Sequence, residues 1–514
     1  MQEQASITLK RSLRRYSRDV AFHRYTFQTG ESPMLFRQIV DTNLSQYAYL
    51  IGCQKTGEAI LFDPQRDVDR YIEIASREKM KIVGVAETHI HADFLSGARE
   101  LAERVGACVY VSAEGGADWQ SKWVGPYKHV LLHDGDMIAL GGISIRAMHT
   151  PGHTPEHMSY LVFDRATGTD VPIGMISGDF VFAGDLGRPD LLETAAGLQG
   201  MSDQSAHALF ASAQKFAQLP EFLQVWPGHG AGSACGKALG AVPQTTVGYE
   251  KAVSPILQLL RSEGAFVKDI LAGQPEPPLY FARMKTSNRE GVPVLGQIPK
   301  PEVVTDLKSH SSSWEKPGTV VVDARAWPAF RDGHLPGALY APLGKMFPMV
   351  VGSYVKPQEK IVLVCEPSMS DEIIRDLVRI GYDHIIAVVP PTVIATATHL
   401  EKTPEVSVKE AANQLGSSFI LDVRGASEHA LGCVEGSCNV AYTRLSTKLA
   451  QIPKDKRVLV HCALGGRSAC ATAMLRRLGY DALNVAGGFE AWKQEQLPVS
   501  TPRVGGCCGG GCRV

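Results

Sequence analysis

The hydrophobic pattern of this chain predicts an alternation of strands and helices. The apolar runs at 36–40 (FRQIV), 47–52 (YAYLIG) and 59–63 (AILFD) have the length of buried strands. A helical stretch at 67–79 precedes another apolar run, KIVGVAE (81–87), and the alternation continues to about residue 270. The proline-rich segment that follows has no clear period, so we expect an extended arm between domains.

The C-terminal half contains an internal repeat. The segment TVVVDARAWPAFRDGHLPGALYAPL (319–343) resembles FILDVRGASEHALGCVEGSCNVAYTRL (419–445), and EKIVLVC (359–365) resembles DKRVLVHC (455–462). Each copy has a strand, an Asp-x-Arg turn, a second buried strand, a loop and a helix. This order predicts a parallel α/β sheet in each copy.

Length and composition narrow the function classes. The 514 residues suggest about three domains of roughly 150 residues each. Lys and Arg number 52 and Asp and Glu 53, and this balance argues against broad binding to nucleic acid or anionic membranes. The most apolar stretch, 385–397, is too short to span a membrane and is broken by two prolines. Eleven cysteines, a small and odd number, indicate reduced thiols in a cytoplasmic protein. The sequence leaves open whether the protein forms a homo-oligomer.

Histidine and aspartate residues cluster in four short motifs at the ends of apolar runs. The motifs are THIHADF (88–94), TPGHT (150–154), SGD (177–179) and PGHG (227–230). Loops at strand ends are where a rigid scaffold projects functional side chains, and imidazole with carboxylate suits zinc or iron(II). The candidate metal ligands are His89, His91, Asp93, His153, Asp179 and His229.

The order of these motifs resembles the metallo-β-lactamase superfamily over about residues 30–260. The resemblance implies an αββα sandwich with the metal at one edge. Binuclear members have a histidine immediately after the aspartate of H-x-H-x-D-H, but this chain has Phe94, which donates no lone pair. We therefore expect a mononuclear site.

Within the superfamily the chain resembles the persulfide dioxygenase branch. That resemblance implies one Fe(II) held by His89, His153 and Asp179, with open positions for O2 and a substrate sulfur. Zinc is the alternative metal. The three other candidates are expected around these ligands, or as ligands themselves if the metal is zinc: His91, Asp93 and His229.

Two further residues are candidates for binding substrate. The segments GDLGRPDLL (184–192) and GHGAGSACGK (228–237) also resemble this branch. Arg188 could hold an anionic substrate or pair with Asp190, and Cys235 could lie near the metal or be a buried small hydrophobe.

The second repeat carries a cysteine loop, VLVHCALGGRS (458–468). Cys462 ends a strand, and a helix is expected to begin near Ser468. The helix N-terminus and inward-pointing backbone N–H groups favour a thiolate, and Arg467 can bind an anion such as sulfite. The loop residues expected to bind substrate are Ala463, Leu464, Gly465 and Gly466.

This loop resembles the active loop of rhodanese, a sulfurtransferase, over about residues 405–500. Four residues separate Cys462 from Arg467, whereas cysteine phosphatases need five, and this difference favours sulfur over phosphate. The first repeat has no such arginine. Aligning the strands places Cys365 opposite His461 and Glu366 opposite Cys462, so we expect an inactive copy whose acidic residue repels sulfite.

These features predict an enzyme with two linked reactions. The metal site would oxidise a low-molecular-weight persulfide, expected to be glutathione persulfide, to sulfite with O2. Cys462 would then form or consume thiosulfate, in sulfide detoxification. Two alternatives remain: a zinc-dependent thioester hydrolase of the glyoxalase II type with an attached sulfurtransferase, or a sulfane-sulfur carrier without dioxygenase activity.

The predicted architecture is a multidomain α/β chain. Its partners are expected to be small molecules, with neither nucleic acid nor a membrane. The predicted segments are a basic tail (1–28), a metallo-β-lactamase-like domain (29–272), a Pro-rich arm (273–302), a degenerate rhodanese-like domain (303–398), an active rhodanese domain (403–502) and a Gly/Cys-rich tail (503–514).

Overall fold

The computed structural model describes residues 34–194, 200–307, 314 and 316–501. The predicted basic tail and the Gly/Cys-rich tail lie outside these residues. Among the described residues, no helix combines the length and apolar character needed to cross a membrane. Cys433 is disulfide-bonded, contrary to the expectation of reduced thiols. Seven other described cysteines form no disulfide: Cys53, Cys108, Cys235, Cys365, Cys438, Cys462 and Cys470.

Two six-stranded sheets form the N-terminal domain. The first sheet contains Met34–Asp41, Gln46–Cys53, Glu58–Phe62, Lys81–Ala86, Cys108–Ser112 and His129–Leu132. The second contains Met137–Leu140, Ile143–His149, Met158–Asp164, Gly174–Gly178, Gln224–Pro227 and Thr245–Thr246.

Apolar side chains of the two sheets share one core, and helices cover their outer faces. Phe62 of the first sheet packs in the same cluster as Tyr160 and Trp226 of the second. This is the expected αββα sandwich, because each sheet buries both of its faces. The helices of this half are Asp69–Arg77, Ala98–Val105, Leu191–Thr194, Met201–Ala217, Val247–Val253, Glu263–Leu271 and Phe281–Glu290.

The helix Phe281–Glu290 corrects one expectation, since it lies in the segment predicted to be extended. Its buried side chains are Phe281, Met284, Lys285 and Asn288, which recur at helical spacing. The prolines that suggested an arm lie outside the helix. It packs against the loop that carries the first metal motif, because Asn288 hydrogen-bonds the backbone there.

The two repeats fold into parallel five-stranded sheets of the same strand order. The first sheet contains Glu302–Val303, Ile385–Val389, Lys360–Val364, Thr319–Asp323 and Leu339–Tyr340. The second contains Glu405–Val406, Ala482–Val485, Val458–His461, Phe419–Asp422 and Cys438–Asn439. A small ribbon pairs Cys433–Val434 with Val499–Ser500.

Helices cover both sheets. In the first repeat they are Trp327–Asp332, Met346–Tyr354, Ser370–Arg379 and Pro391–Ile394. In the second they are Val408–Ala412, Ala426–Ala430, Gly466–Arg477 and Gly488–Gln494. The multidomain α/β fold class predicted from the sequence is therefore confirmed.

The Asp-x-Arg turn explains why the repeats fold alike. Arg325 pairs with Asp323 and donates to the Gly333 carbonyl at 2.8 Å. Arg424 donates to the equivalent Gly432 carbonyl at 2.7 Å. In both copies the arginine ties the end of the first strand to the next turn.

The strand register corrects the alignment of the two active loops. Asp323 lies opposite Val364, and the equivalent Asp422 lies opposite His461. Cys365 therefore occupies the position of Cys462, not that of His461 as the apolar runs suggested. Burial raises the pKa of the Cys365 thiol to about 12, and no arginine follows at the position of Arg467.

Candidate metal and sulfur-transfer sites

The predicted metal ligands converge at one edge of the sandwich. His89 follows the strand Lys81–Ala86, and Asp179 follows Gly174–Gly178. The ligand atoms of His89, His153 and Asp179 all lie within 4.8 Å of one another. The Asp179 Oδ2 atom is 3.9 Å from His89 Nε2 and 3.6 Å from His153 Nε2.

Hydrogen bonds orient the imidazoles toward this centre. His153 Nδ1 donates to the Arg188 carbonyl at 3.0 Å, which leaves its Nε2 lone pair facing Asp179. His89 Nδ1 lies 2.9 Å from the Thr88 hydroxyl, so its Nε2 also points inward. Burial lowers the pKa of both histidines well below the usual range and so favours neutral, ligating rings.

The Asp179 carboxylate is the best evidence that a cation fits. Both of its oxygens are buried and lack a hydrogen-bond partner. Such a group is costly to bury unless a cation or donor satisfies it. The backbone nearby is closely packed, since a Cβ added to Gly187 would lie 1.7 Å from the Asp179 carbonyl oxygen. The residues present therefore fit a divalent metal.

A second group of donors adjoins the first. Asp93, His229 and Cys235 also have ligand atoms within 4.8 Å of one another. His229 Nε2 is 3.3 Å from Asp93 Oδ2 and 3.4 Å from Asp179 Oδ1. Burial raises the pKa of the Cys235 thiol well above its usual value. The Cys235 thiol therefore lies beside two candidate metal ligands, Asp93 and His229.

Phe94 and His91 lie beside this centre. The Phe94 ring is fully buried and lies 4.3 Å from the His91 ring. His91 Nε2 is 3.1 Å from both Asp63 and Glu87. Burial lowers the pKa of His91, but these two carboxylates outweigh it and raise the pKa well above the usual value. His91 therefore joins an acidic cluster of its own and not the group around Asp179.

Arg188 is committed to protein partners. Its guanidinium forms two hydrogen bonds of 2.7 Å with Asp190 and one with the Ala234 carbonyl. These contacts match the pairing interpretation of the sequence. The carbonyl of Arg188 still bears on the site, because it orients His153.

Other residues of this site carried little signal in the sequence. The His157 Nε2 atom accepts from the backbone N–H of Asp179 at 3.1 Å and so fixes that residue. Asn288 donates to the carbonyls of His91 and Phe94 and accepts from Ser96 N. Asp63 is the last residue of the apolar run 59–63, which predicts a strand. Nothing else in the sequence indicates that Asp63 pairs with His91.

The cysteine loop in the second repeat has the expected shape. Cys462 is buried, and its sulfur accepts from the Gly465 N–H at 3.1 Å and lies 3.5 Å from the Ser468 hydroxyl. The helix begins at Gly466, two residues before the predicted start. Ala463 is half-buried, and Leu464, at the tip of the loop, is 75% exposed.

Gly488 packs closely against the backbone of this loop. Phe489 N donates to the Cys462 carbonyl at 2.7 Å, and Glu490 N donates to Ala463. Gly488 has a φ of +56°, and a Cβ there would lie 2.3 Å from the Cys462 carbonyl oxygen. A glycine is required for this close approach.

Arg467 turns toward a carboxylate. Its two terminal nitrogens donate to Glu428 at 2.5 and 2.7 Å. Any anion that uses Arg467 must compete with Glu428. The sequence motif located the arginine but could not reveal this partner, which lies in the preceding helix Ala426–Ala430.

Known proteins resemble this chain in both of its halves. The profile of the metallo-beta-lactamase superfamily matches residues 41–229. A solved metallo-beta-lactamase from Staphylococcus aureus subsp. aureus COL is 38% identical, with a TM-score of 0.63 over 70% of this chain and 99% of that chain. The chain belongs to the metallo-β-lactamase superfamily. The profile of the rhodanese-like domain also matches residues 305–389 and 407–495 of this chain, which confirms the predicted fusion.

Curated relatives of the chain include two kinds of enzyme. The mitochondrial persulfide dioxygenase ETHE1 of Bos taurus is 26% identical over 282 residues, 53% of this chain and 95% of that protein. A hydroxyacylglutathione hydrolase of Actinobacillus pleuropneumoniae serotype 3 (strain JL03) is also 26% identical, over 35% of this chain and 65% of that protein. Because the two relatives are equally identical to the chain, sequence identity does not distinguish their two reactions.

Proposed function

We propose that the chain oxidises a low-molecular-weight persulfide to sulfite and converts that sulfite to thiosulfate. The observation that carries the proposal is the buried group of His89, His153 and Asp179, whose carboxylate lacks any hydrogen-bond partner. Two imidazoles and one carboxylate are the ligand set of mononuclear iron(II) oxygenases. The likeness to ETHE1 supports the same reaction, and glutathione persulfide is the substrate expected from that resemblance.

At the first site the protein would hold the metal ion and orient the side chains that bind it. Iron(II) bound there would supply adjacent open positions for O2 and the persulfide sulfur. His157 fixes the backbone of Asp179, and the Arg188 carbonyl fixes the ring of His153. Overall, persulfide, O2 and water give sulfite, thiol and protons.

The protein's part at the second site is sulfur transfer. Cys462 attacks the outer sulfur of a second persulfide and releases the thiol, so that it carries that sulfur itself. Sulfite then attacks this outer sulfur, the S–S bond breaks, thiosulfate leaves and Cys462 returns as thiolate. The Gly465 N–H and the Ser468 hydroxyl can stabilise the negative sulfur in this step.

The packing between domains supports a direct hand-over of sulfite. Glu276, which follows the first domain, accepts from Ala426 N of the second repeat at 2.9 Å. Tyr354 of the first repeat donates to the Tyr442 carbonyl of the second at 2.9 Å. Residues from all three domains, among them Phe94 and Cys462, share one continuous apolar cluster. Because both sites belong to one packed chain, sulfite made at the first site would meet Cys462 at a raised effective concentration.

The test is O2 uptake by anaerobically Fe(II)-loaded protein given glutathione persulfide, with sulfite and thiosulfate quantified. We expect uptake matched to these products, none in His153→Ala, and a shift from thiosulfate to sulfite in Cys462→Ser. Undiminished thiosulfate output from Cys462→Ser would contradict the coupling.

One observation favours a second candidate, a zinc thioester hydrolase. Asp93, His229 and Cys235 could hold a second ion next to Asp179, and a hydroxyacylglutathione hydrolase is among the relatives. That function requires two zinc ions per chain and thioester cleavage without O2 uptake. Metal analysis of the purified protein, together with the assay above, separates the two functions.

A further inference from the structure

An open cleft of about 480 Å³ adjoins the sulfur-transfer loop. Its lining includes Gly432, Ala463 and the last three described residues, 499–501. We call it the Ala463 cleft. Gly432 precedes Cys433 and Ala463 follows Cys462 in the sequence. The cleft therefore joins the surroundings of these two cysteines.

The Asp-x-Arg turn of this repeat connects the same two places. The Val423 N–H donates to the His461 carbonyl at 2.9 Å. The Arg424 guanidinium donates to the Gly432 carbonyl at 2.7 Å. These two hydrogen bonds hold the residue that precedes each cysteine to one short turn.

Cys433 is already oxidised in this structure. It is disulfide-bonded and fully buried, and the Ser500 hydroxyl lies 3.5 Å from its sulfur. The seven other described cysteines form no disulfide. The remaining cysteines of the sequence are Cys507, Cys508 and Cys512, in the Gly/Cys-rich tail. These three are the candidate partners of Cys433 within the chain.

The tail is long enough to serve both cysteines. It follows Thr501, which lines the Ala463 cleft. Cys507 comes seven residues after Ser500, and a chain of that length spans up to about 23–25 Å. A thiol on so short a tether has an effective concentration of about millimolar toward groups within its reach.

We propose that a tail cysteine takes the sulfur carried on Cys462, and that Cys433 then displaces this sulfur as sulfide. The inference rests on the sulfur-transfer part of the proposed function. It gives the sulfur on Cys462 a second fate when sulfite is scarce. The disulfide at Cys433 is the product of this relay.

The relay balances without an added oxidant. A tail thiolate attacks the outer sulfur of the Cys462 persulfide, the S–S bond breaks, and Cys462 leaves as a thiolate. The Cys433 thiolate then attacks the inner sulfur of the tail persulfide, and hydrosulfide leaves. Two thiols lose two electrons, and the transferred sulfur gains them. Two low-molecular-weight thiols reduce the protein disulfide, form a disulfide of their own and reset the pair.

Thiosulfate tests the relay because it loads Cys462 without adding a persulfide to the solution. The full-length protein is reduced with a phosphine, desalted under argon and mixed with excess thiosulfate, and the released sulfide is measured as methylene blue. We expect about one sulfide per chain, since each reduced pair reacts once. Added sulfite should suppress this release, because it competes with the tail for the sulfur on Cys462.

Mapping of the disulfide identifies the pair. Trypsin yields a peptide 425–444 and a tail peptide 504–513, and cleavage after Glu435 separates Cys433 from Cys438. We expect the peptide with Cys433 to be cross-linked to the tail peptide after thiosulfate treatment, and not in the reduced protein. Mass spectrometry measures both states.

Variants assign each role in the relay. Cys462→Ser should release no sulfide and form no cross-link, and deletion of the tail should stop the release. Cys433→Ser should lose most of the sulfide and retain a persulfide on the tail. Cys108→Ser, at a buried cysteine of the first domain that forms no disulfide, is the control and should behave as wild type. Circular dichroism verifies that each variant is folded.

The outcomes separate the relay from the proposed function. Sulfide release that is unchanged in Cys462→Ser or without the tail overturns the relay, as does a treated wild-type protein without the cross-link. Absence of O2 uptake overturns the dioxygenase alone, because the relay needs neither iron nor O2. Failure of the wild-type protein to transfer sulfur from thiosulfate to cyanide would overturn the sulfur-transfer function, and the relay with it.

Discussion

At the scale of single residues, the buried carboxylates of the metal site lower the stability of the metal-free protein. Asp93 and Asp179 are buried with none of their oxygens hydrogen-bonded. Burial raises the pKa of Asp179 to about 6, although the charge of His229 opposes that shift. A site of this kind is maintained for its ligand, at the expense of stability.

A stability prediction follows for Asp179→Asn. Without metal, the variant should melt above the wild-type protein, because a neutral amide replaces a carboxylate without partners. With metal added, the wild-type protein should gain stability by mass action, and the variant should not. Thermal melting with and without Fe(II) or Zn(II) measures both effects. A metal-free variant that melts lower would show that the carboxylate stabilises the fold.

Arg467 and Glu428 lead to a second residue-scale prediction. Arg467→Gln should raise the KM for thiosulfate about tenfold or more in a cyanide sulfurtransferase assay, because it removes a charged hydrogen-bond donor. Glu428→Gln should lower that KM, because the competing negative charge is gone. If both variants raise the KM alike, the ion pair is needed for the shape of the loop and does not compete with substrate.

At the scale of elements, one helix outside the sandwich completes the metal site. The helix Phe281–Glu290 supplies Asn288, whose amide holds the backbone of His91, Phe94 and Ser96. It thereby fixes the loop that begins at His89. Outer contacts of this kind tune metal sites as strongly as many direct ligands do.

Asn288→Ala should therefore weaken metal binding about 10- to 100-fold, without removing a ligand. Competition with a chromogenic chelator measures the affinity. Thr286→Ala, on the exposed side of the same helix, should leave the affinity unchanged and so controls for helix propensity. An Asn288→Ala protein of wild-type affinity would show that the loop holds its shape by itself.

The sequence predicted elements better than contacts between elements. The four metal motifs could be read because each lies at the end of a recognisable strand. Asn288 reaches the first metal motif from a segment far along the chain and belongs to no ligand pattern, so tertiary packing alone reveals it. The position of Cys365 was predicted one residue out, because apolar runs fix a strand's face less precisely than the paired Asp-x-Arg turns fix its register.

At the scale of the whole molecule, the first repeat joins its neighbours. The helix after its Cys365 loop, Ser370–Arg379, carries Arg379 into the first domain, where it donates to Asp41 and Asp67. Burial would raise the pKa of Asp67, but the attraction of Arg379 outweighs it and lowers that pKa. In the second repeat the corresponding helix, Gly466–Arg477, follows the Cys462 loop. In the first repeat this helix binds one domain to another.

Arg379→Met should destabilise this interface by about 3–5 kcal/mol, because it leaves buried carboxylates without their cation. Limited proteolysis between the domains and thermal melting report the loss. Arg375→Gln removes a partly exposed arginine from the same helix and should cost much less. Equal effects of the two variants would mean that burial does not decide the strength of the interface.

The first repeat also contacts both of its neighbours, since its helix Met346–Tyr354 contacts Tyr442 of the second repeat and packs against Tyr280 of the first half. These contacts constrain how the fusion can evolve. Once its neighbours had shaped their surfaces to the duplicated domain, that domain could lose its nucleophilic chemistry freely, but its deletion would expose apolar faces on both sides. Descendants of such a fusion should therefore keep the first repeat at full length even where the sequence of its cysteine loop changes.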